Sequence, residues 1–260
     1  MYVCMKEKTM QAMVEVEKLS FSYGDRKILT DISFNAFENE SLCIIGPNGC
    51  GKTTLLKSLC NILNFKGSVY INGKNIKDIE VYKTVALMSQ MSEIYFGYTV
   101  FDTVMLGRYA SFKDKLLSIP GKKDKEIVLE CLDKVKINHL KDKFITELSG
   151  GELQRVFLAR VFAQNPSIIL MDEPTNHLDL NSQIELIYNL KEWAHSGSKC
   201  IVAVMHDINA TLNFADKILV LKDGISKYFG SATDFDLQLL NDIYSVDVVE
   251  YMRNSLSKWK

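Results

Sequence analysis

Gly46-Pro47-Asn48-Gly49-Cys50-Gly51-Lys52-Thr53-Thr54 fits G-x-x-x-x-G-K-[ST], the spacing of a loop that cradles phosphate. Glycines let the backbone turn tightly, so several N–H groups converge on one concave point. A helix that starts there adds its dipole and its unpaired donors. Lys52 brings a point charge toward the outer phosphates, and the Thr53 hydroxyl is a ligand for Mg²⁺. Such an arrangement serves phosphoryl transfer.

Two further stretches carry chemistry. The apolar run Ile168-Ile169-Leu170-Met171 delivers Asp172 and Glu173, followed by Pro174, at the C-terminal end of a strand. Ligands bind at that end in open α/β sheets. Beside a phosphate loop, Asp172 is placed to hold Mg²⁺ and Glu173 to act as a general base on water. In Leu148-Ser149-Gly150-Gly151-Glu152, the residues Ser149 and Glu152 have the spacing of a capping box. Its two glycines let a large anion approach the backbone. Alone, this motif reads as an ordinary helix cap.

The elements that must position these residues follow from hydrophobic period. Residues 41–45 read as a buried strand before the loop, and residues 53–61 as a helix after it. Residues 14–17 and 32–37 alternate apolar and polar, as half-exposed antiparallel strands do. Residues 67–71, closed by Asn72-Gly73, predict a strand and a hairpin turn. Residues 85–89 predict a buried strand ending at Gln90. Residues 91–165 change character: apolar residues recur at helical spacing, and a helix over 152–164 is stopped by Pro166. Continuous apolar strands return over 167–171 and 199–205, with a helix over 182–195 between them. That alternation implies a mainly parallel sheet covered on both faces. Residues 218–229 predict a hairpin through Asp223-Gly224, and the tail over 233–252 a short helix plus an irregular segment. Residues 1–12 read as a loose leader.

Composition narrows the function. A formal net charge of −1 offers no basic field for nucleic acid. No apolar run approaches the ~20 residues of a membrane span. Lys6, Glu7 and Lys8 interrupt any secretory signal, so a cytosolic chain is expected. The six cysteines form no C-x-x-C pair, which points away from zinc sites and disulfides. Cys43 and Cys200 lie in apolar strands and read as small core residues. Cys50 lies inside the phosphate loop, where oxidation or alkylation would block nucleotide binding.

Taken in order, the loop at 46–54, Leu148 to Glu152 and Leu170 to Pro174 resemble the ATP-binding cassette (ABC) ATPases. Leu-Ser-Gly-Gly-Glu is that family's signature sequence, and the resemblance runs from about Val14 to Gly230. It implies a P-loop NTPase α/β core with a mainly parallel sheet, an N-terminal antiparallel β subdomain and an inserted α-helical subdomain. One ABC ATPase domain over 13–250 is expected. Residues 13–90 and 166–230 make its core, 91–165 its helical part with the signature, and 231–260 its tail. Tyr23, by itself a hairpin-surface tyrosine, resembles the aromatic that stacks on adenine. Gln90 resembles the glutamine that contacts Mg²⁺ and senses a membrane partner. Asn176-His177-Leu178-Asp179 resembles the D-loop at the dimer interface, and His206 the histidine that contacts the γ-phosphate. The resemblance implies ATP and Mg²⁺ as cofactors and a head-to-tail homodimer. Each of its two ATP molecules would lie between one chain's phosphate loop and the other's signature.

The job is read from finer resemblances. Thr99 to Tyr109 looks like the T-V-x-x-x-V-x-x-G-R segment of importers for iron–siderophore complexes, haem and cobalamin. Leu239 to Val248 looks like their L-x-x-x-Y-x-x-x-V ending. An importer ATPase is therefore expected, peripheral on the cytoplasmic face of the membrane. Its partners would be separate permease subunits and, through them, an extracellular binding protein. Zinc, manganese or molybdate importers are the alternative cargo class, and a soluble non-transport ABC ATPase the alternative of another kind.

Overall fold

In a computed structural model, the described residues are 11–89, 97–112, 119–176 and 178–257. Strands β1 (Val14–Tyr23) and β2 (Arg26–Ala36) form an antiparallel hairpin. Both reach further than their alternation predicts. Lys18 and Asp31 take positive φ (49° and 51°), and the register shifts there. Each such bulge restarts the in–out alternation, so Leu19 and Phe21 resume the buried face out of step with Val14 and Val16. Strand β3 (Glu40–Ile45) leads to the phosphate loop and helix α1 (Lys52–Leu59). Strands β4 (Lys66–Ile71) and β5 (Lys74–Asn75) join β1 and β2 in an antiparallel sheet ordered β2-β1-β4-β5. Asn72 and Gly73 turn between them with φ of 49° and 73°, the geometry of a type I′ hairpin.

Strand β6 (Val85–Met88) precedes the mainly helical segment. Its described parts hold α2 (Val100–Met105), α3 (Tyr109–Phe112), α4 (Lys122–Lys134) and α5 (Gly150–Gln164). Then follow β7 (Ile168–Asp172), α6 (Leu180–Ala194), β8 (Cys200–Val204) and α7 (Ile208–Phe214). The chain continues through β9 (Lys217–Lys222), β10 (Ile225–Ser231), α8 (Leu239–Tyr244) and α9 (Val248–Leu256). The second sheet runs β10-β9-β3-β8-β7-β6; all its pairings are parallel except the β9–β10 hairpin. Helix α5 opens two residues earlier than its period suggests, and the tail carries two helices where one was expected. Asp247 caps the second, and a left-handed Ser245 separates the pair.

The central strands are apolar over 42–45, 168–171 and 200–204 because each serves two cores. Leu42, Ile44, Leu170, Val202 and Val204 face the core under the antiparallel sheet and α1. Cys43, Ile45, Met171, Ile201 and Ala203 face the core under α2, α4, α5 and α6. That second core also takes in Val100, Val128, Leu132 and Val156, so the helical segment shares its packing with the sheet. No helix of the described residues is long and apolar enough to cross a membrane.

Candidate functional site

The parallel register brings the site together. Asp172 pairs with Val204, and Val204 pairs with Ile44. The residues just beyond these three strand ends are the phosphate loop, Glu173 and His206. Met205 N–H donates to the Ile44 carbonyl at 3.1 Å, which closes the sheet directly beneath them.

Gly51 sits at φ 106° as the N-cap of α1; it offers no side-chain cap, and the first turn holds no acidic residue. By contrast, side chains of Thr99, Ser149, Asp179, Asp207 and Asp247 cap α2, α5, α6, α7 and α9. The first turn of α1 therefore keeps its donors for an anion from elsewhere. Lys52 is buried, and its Nζ donates to the carbonyls of Gly46 at 2.7 Å and Pro47 at 2.9 Å. An ammonium has three protons, so one remains for a phosphate oxygen.

Behind the loop, Asp172 is 7% exposed, and its Oδ1 is buried without a hydrogen-bond partner. Burial pushes its pKa up; the Thr53 hydroxyl beside it pulls the other way, and Glu173 adds to the rise. A buried carboxylate oxygen with nothing to bind is costly unless a cation completes it. With Thr53 alongside, this pair fits Mg²⁺, which takes one or two protein oxygens and fills its octahedron with water and phosphate. Among the described residues, no group of three or more His, Cys, Asp or Glu could hold a metal by itself.

Glu173 adopts φ 54°, a strained conformation for a glutamate. Its N–H is tied to the Val204 carbonyl at 3.1 Å, which turns the side chain outward from the strand end. Oε1 lies 2.5 Å from His206 Nε2, and Oε2 accepts from the Asn176 amide. Both oxygens are thereby fixed at the wall of a cavity of about 660 Å³. Its floor is Asn48, Gly49 and Gly51 to Thr54; Glu173, Asn176 and His206 make one wall, and Tyr23, Arg26 and Ile28 stand at the mouth. Tyr23 is 53% exposed and is held edge-on by Phe21, with ring centroids 4.7 Å apart. Arg26 and Ile28 were not singled out from the sequence. They enter only because the β1–β2 hairpin folds over the loop, although an arginine three residues past Tyr23 is a visible signal.

The other predicted residues lie elsewhere. Leu148 to Glu152 do not line this cavity; Ser149 and Gly150 are exposed. The capping box forms there: Ser149 N–H and Oγ both donate to Glu152 at 2.8 Å, which holds that carboxyl below its usual pKa. Gly151 is packed so closely that an added Cβ would lie 2.7 Å from Ser182 Oγ. Ser182 in turn bonds Asp179, and Gln154 Nε2 donates to the Pro174 carbonyl at 2.7 Å. The signature start thus packs against Asp179 and Ser182 and is tied to Pro174, with Leu178 half-buried nearby. Gln90 and His177 lie outside the described residues.

Cys50 is 5% exposed, lies in the core under the antiparallel sheet, and has its pKa raised, mainly by burial. The thiolate is the reactive form. In native protein at neutral pH, a maleimide is therefore expected to leave Cys50 unlabelled and nucleotide binding intact. Peptide mapping that found Cys50 modified within minutes would contradict this.

A parallel sheet whose strand ends carry a phosphate loop, paired carboxylates and a histidine defines a P-loop nucleoside-triphosphatase fold. A sequence profile of the ABC transporter family matches residues 29–176, and the chain belongs to that family. A petrobactin import ATP-binding protein of Bacillus subtilis is 32% identical over 91% of this chain and 94% of its own. A hemin import ATP-binding protein of Methylobacillus flagellatus is 34% identical over 82% of this chain and 81% of its own. A solved ABC transporter of metal-chelate type, facing inward, superposes with a TM-score of 0.80 at 28% identity, over 90% of this chain and 89% of that one. A dimeric, post-hydrolysis ATP-binding cassette bound to ADP and phosphate gives 0.75 at 28% identity, over 86% and 100%.

Proposed function

We propose that this chain is the ATP-hydrolysing subunit of an importer for an iron complex (a ferric siderophore or haem) or cobalamin. The observation that carries the reading is the run of relatives named for petrobactin, siderophore, hydroxamate and hemin import, at 31–36% identity over 81–91% of this chain. The segment 99–109 and the 239–248 ending agree with it.

In this reading Tyr23 stacks on adenine, and the backbone of 48–54 with Lys52 holds the phosphates. Thr53 and Asp172 would hold Mg²⁺, joined by Gln90; the ion neutralises charge on the transferred phosphoryl group. Glu173 takes the proton of the attacking water. His206 orients Glu173 and reaches the γ-phosphate. The Ser149 helix start is exposed and does not line its own cavity, so in this reading it serves the phosphates of a second copy. The homodimer then closes on two ATP molecules, with Asn176 to Asp179 at the seam. A homodimer is supported by the dimeric neighbour.

Permease subunits would grip the helical segment at the cytoplasmic membrane face. Tyr98, Leu106, Tyr109, Ile119 and Phe144 are each roughly half or more exposed there, an unusual density of large apolar side chains. Residues 98–100 are laced to 141–145: Val100 N–H donates to the Lys143 carbonyl and Ile145 N–H to that of Tyr98, both at 2.9 Å. A push on this patch therefore reaches Ser149 through a short, hydrogen-bonded stretch. Affinity purification from gently solubilised cells is expected to recover a polytopic permease with the wild type. Phe144→Glu is expected to lose it by about tenfold or more while still binding ATP. Recovery of soluble partners alone would sink the importer reading.

A further inference from the structure

The strand end that carries Glu173 turns at once. Asn176 N–H donates back to the Glu173 carbonyl at 3.2 Å, which closes a turn with Pro174 and Thr175 at its centre. Proline presets φ at the first of these central positions. The Asn176 amide then crosses to Glu173 Oε2. The turn and the Glu173 carboxylate are thereby one unit, and what holds the turn's central carbonyls holds Glu173.

Two glutamines hold them. Gln183, on α6, donates from Nε2 to the Thr175 carbonyl at 3.3 Å and to that of Leu178 at 3.1 Å. Gln154, on α5, donates from Nε2 to the Pro174 carbonyl at 2.7 Å. Gln154 is half-buried and does not line the phosphate-loop cavity, and it belongs to the helix whose start carries Ser149 and Glu152. On either side of it that helix is braced against α6: Gly151 packs on Ser182, and Arg155 Nη2 lies 2.6 Å from Glu185 Oε2.

We propose that Gln154 is a positioning residue for hydrolysis: by holding the Pro174 carbonyl it orients the Glu173 turn, so the general base reads the position of its own chain's signature helix. Without that amide the Pro174 carbonyl loses its donor and the turn tilts among several orientations. Only those that aim Glu173 at the attacking water are productive, so turnover falls while nucleotide binding does not. The proposal rests on the reading of Glu173 as the base.

The test is Gln154→Met in the full chain, which keeps the length of the side chain and removes its donor. The kcat for ATP hydrolysis is expected to fall about three- to tenfold, the effect of one neutral hydrogen bond. ATP Kd should stay within about twofold, the scatter of a site that does not touch the ligand. The decisive readout is a double-mutant cycle with Asn176→Ala. That change cuts the link between the turn and Glu173 Oε2, so adding Gln154→Met to it should cost less than about a further twofold. A purely structural role, or one exerted through Ser149 on a second copy, would cost the same factor in both backgrounds and overturns the proposal. A folded Gln154→Met with wild-type kcat overturns it too. Gln154→Glu, whose carboxylate has the same shape but no proton to give, carries the same test should Gln154→Met fail to fold. Glu173→Gln measured alongside separates the failures. Wild-type turnover there would remove the base reading on which the proposal rests, whereas a slow Glu173→Gln beside an additive Gln154→Met strikes the proposal alone.

Discussion

Glu173→Gln is expected to hydrolyse ATP about 10²–10⁴-fold more slowly than the wild type, the usual contribution of a positioned general base. It should also accumulate as an ATP-loaded dimer, because closure no longer leads to hydrolysis. The geometry makes this substitution sharper than a charge loss. Glu173 accepts from Asn176 through one oxygen and meets His206 Nε2 at 2.5 Å through the other. A glutamine has one acceptor and one donor end, so only one of those contacts survives unless the histidine changes tautomer. The φ of 54° is imposed by the backbone tie to Val204 and does not depend on the side chain, so the fold should persist. Phosphate release and size exclusion with ATP present read both effects. Wild-type turnover would remove Glu173 from the role of base.

Asp172→Asn should move stability and activity in opposite directions. Hydrolysis with Mg²⁺ is expected to fall about 10²–10³-fold, since metal stabilisation of phosphoryl charge amounts to several kcal/mol. The nucleotide-free protein should become more stable by about 1 kcal/mol, or about 2–4 °C for a chain of this size, because an unpartnered buried carboxylate is replaced by a neutral amide. The pH dependence has a definite sign. Burial raises the folded-state pKa of Asp172, so folding favours its protonated form. That favourable contribution is complete below the unfolded carboxylate pKa and is lost as pH rises through the folded value. The stability gap between variant and wild type should therefore widen with pH above the ordinary carboxylate range and level off once pH has passed the folded value. Mg²⁺ with ATP should reverse it by stabilising the wild type more. Thermal melts across pH, with and without ligand, measure this; a variant less stable than wild type at neutral pH without ligand would contradict it.

Much of the site was legible because its parts are local. A phosphate loop works through consecutive backbone N–H groups, so its whole apparatus lies in one stretch, 46–54. A capping box closes within one turn, and the predicted Ser149–Glu152 pair is found formed. The parallel sheet was legible for a different reason: strands buried on both faces need unbroken apolar runs, as at 168–171 and 200–204. Strand bulges were not legible, since a left-handed Lys18 or Asp31 leaves no compositional mark and only appears as a lost alternation.

Local spacing by itself singled out a candidate phosphate loop, the carboxylates that end a strand, and the glycines that open a helix. Tertiary structure alone decided which of them meet. Glu173 reaches His206 across 33 residues because β7 and β8 are in register. Arg26 and Ile28 join the cavity because a hairpin closes over it, and the Ser149 helix start is left out of it. Cys50 faces the core although its neighbours line the cavity. The physical reason is the same throughout. Backbone chemistry is set by neighbours a few residues away, whereas side-chain encounters are set by strand order and register, which local pattern does not contain.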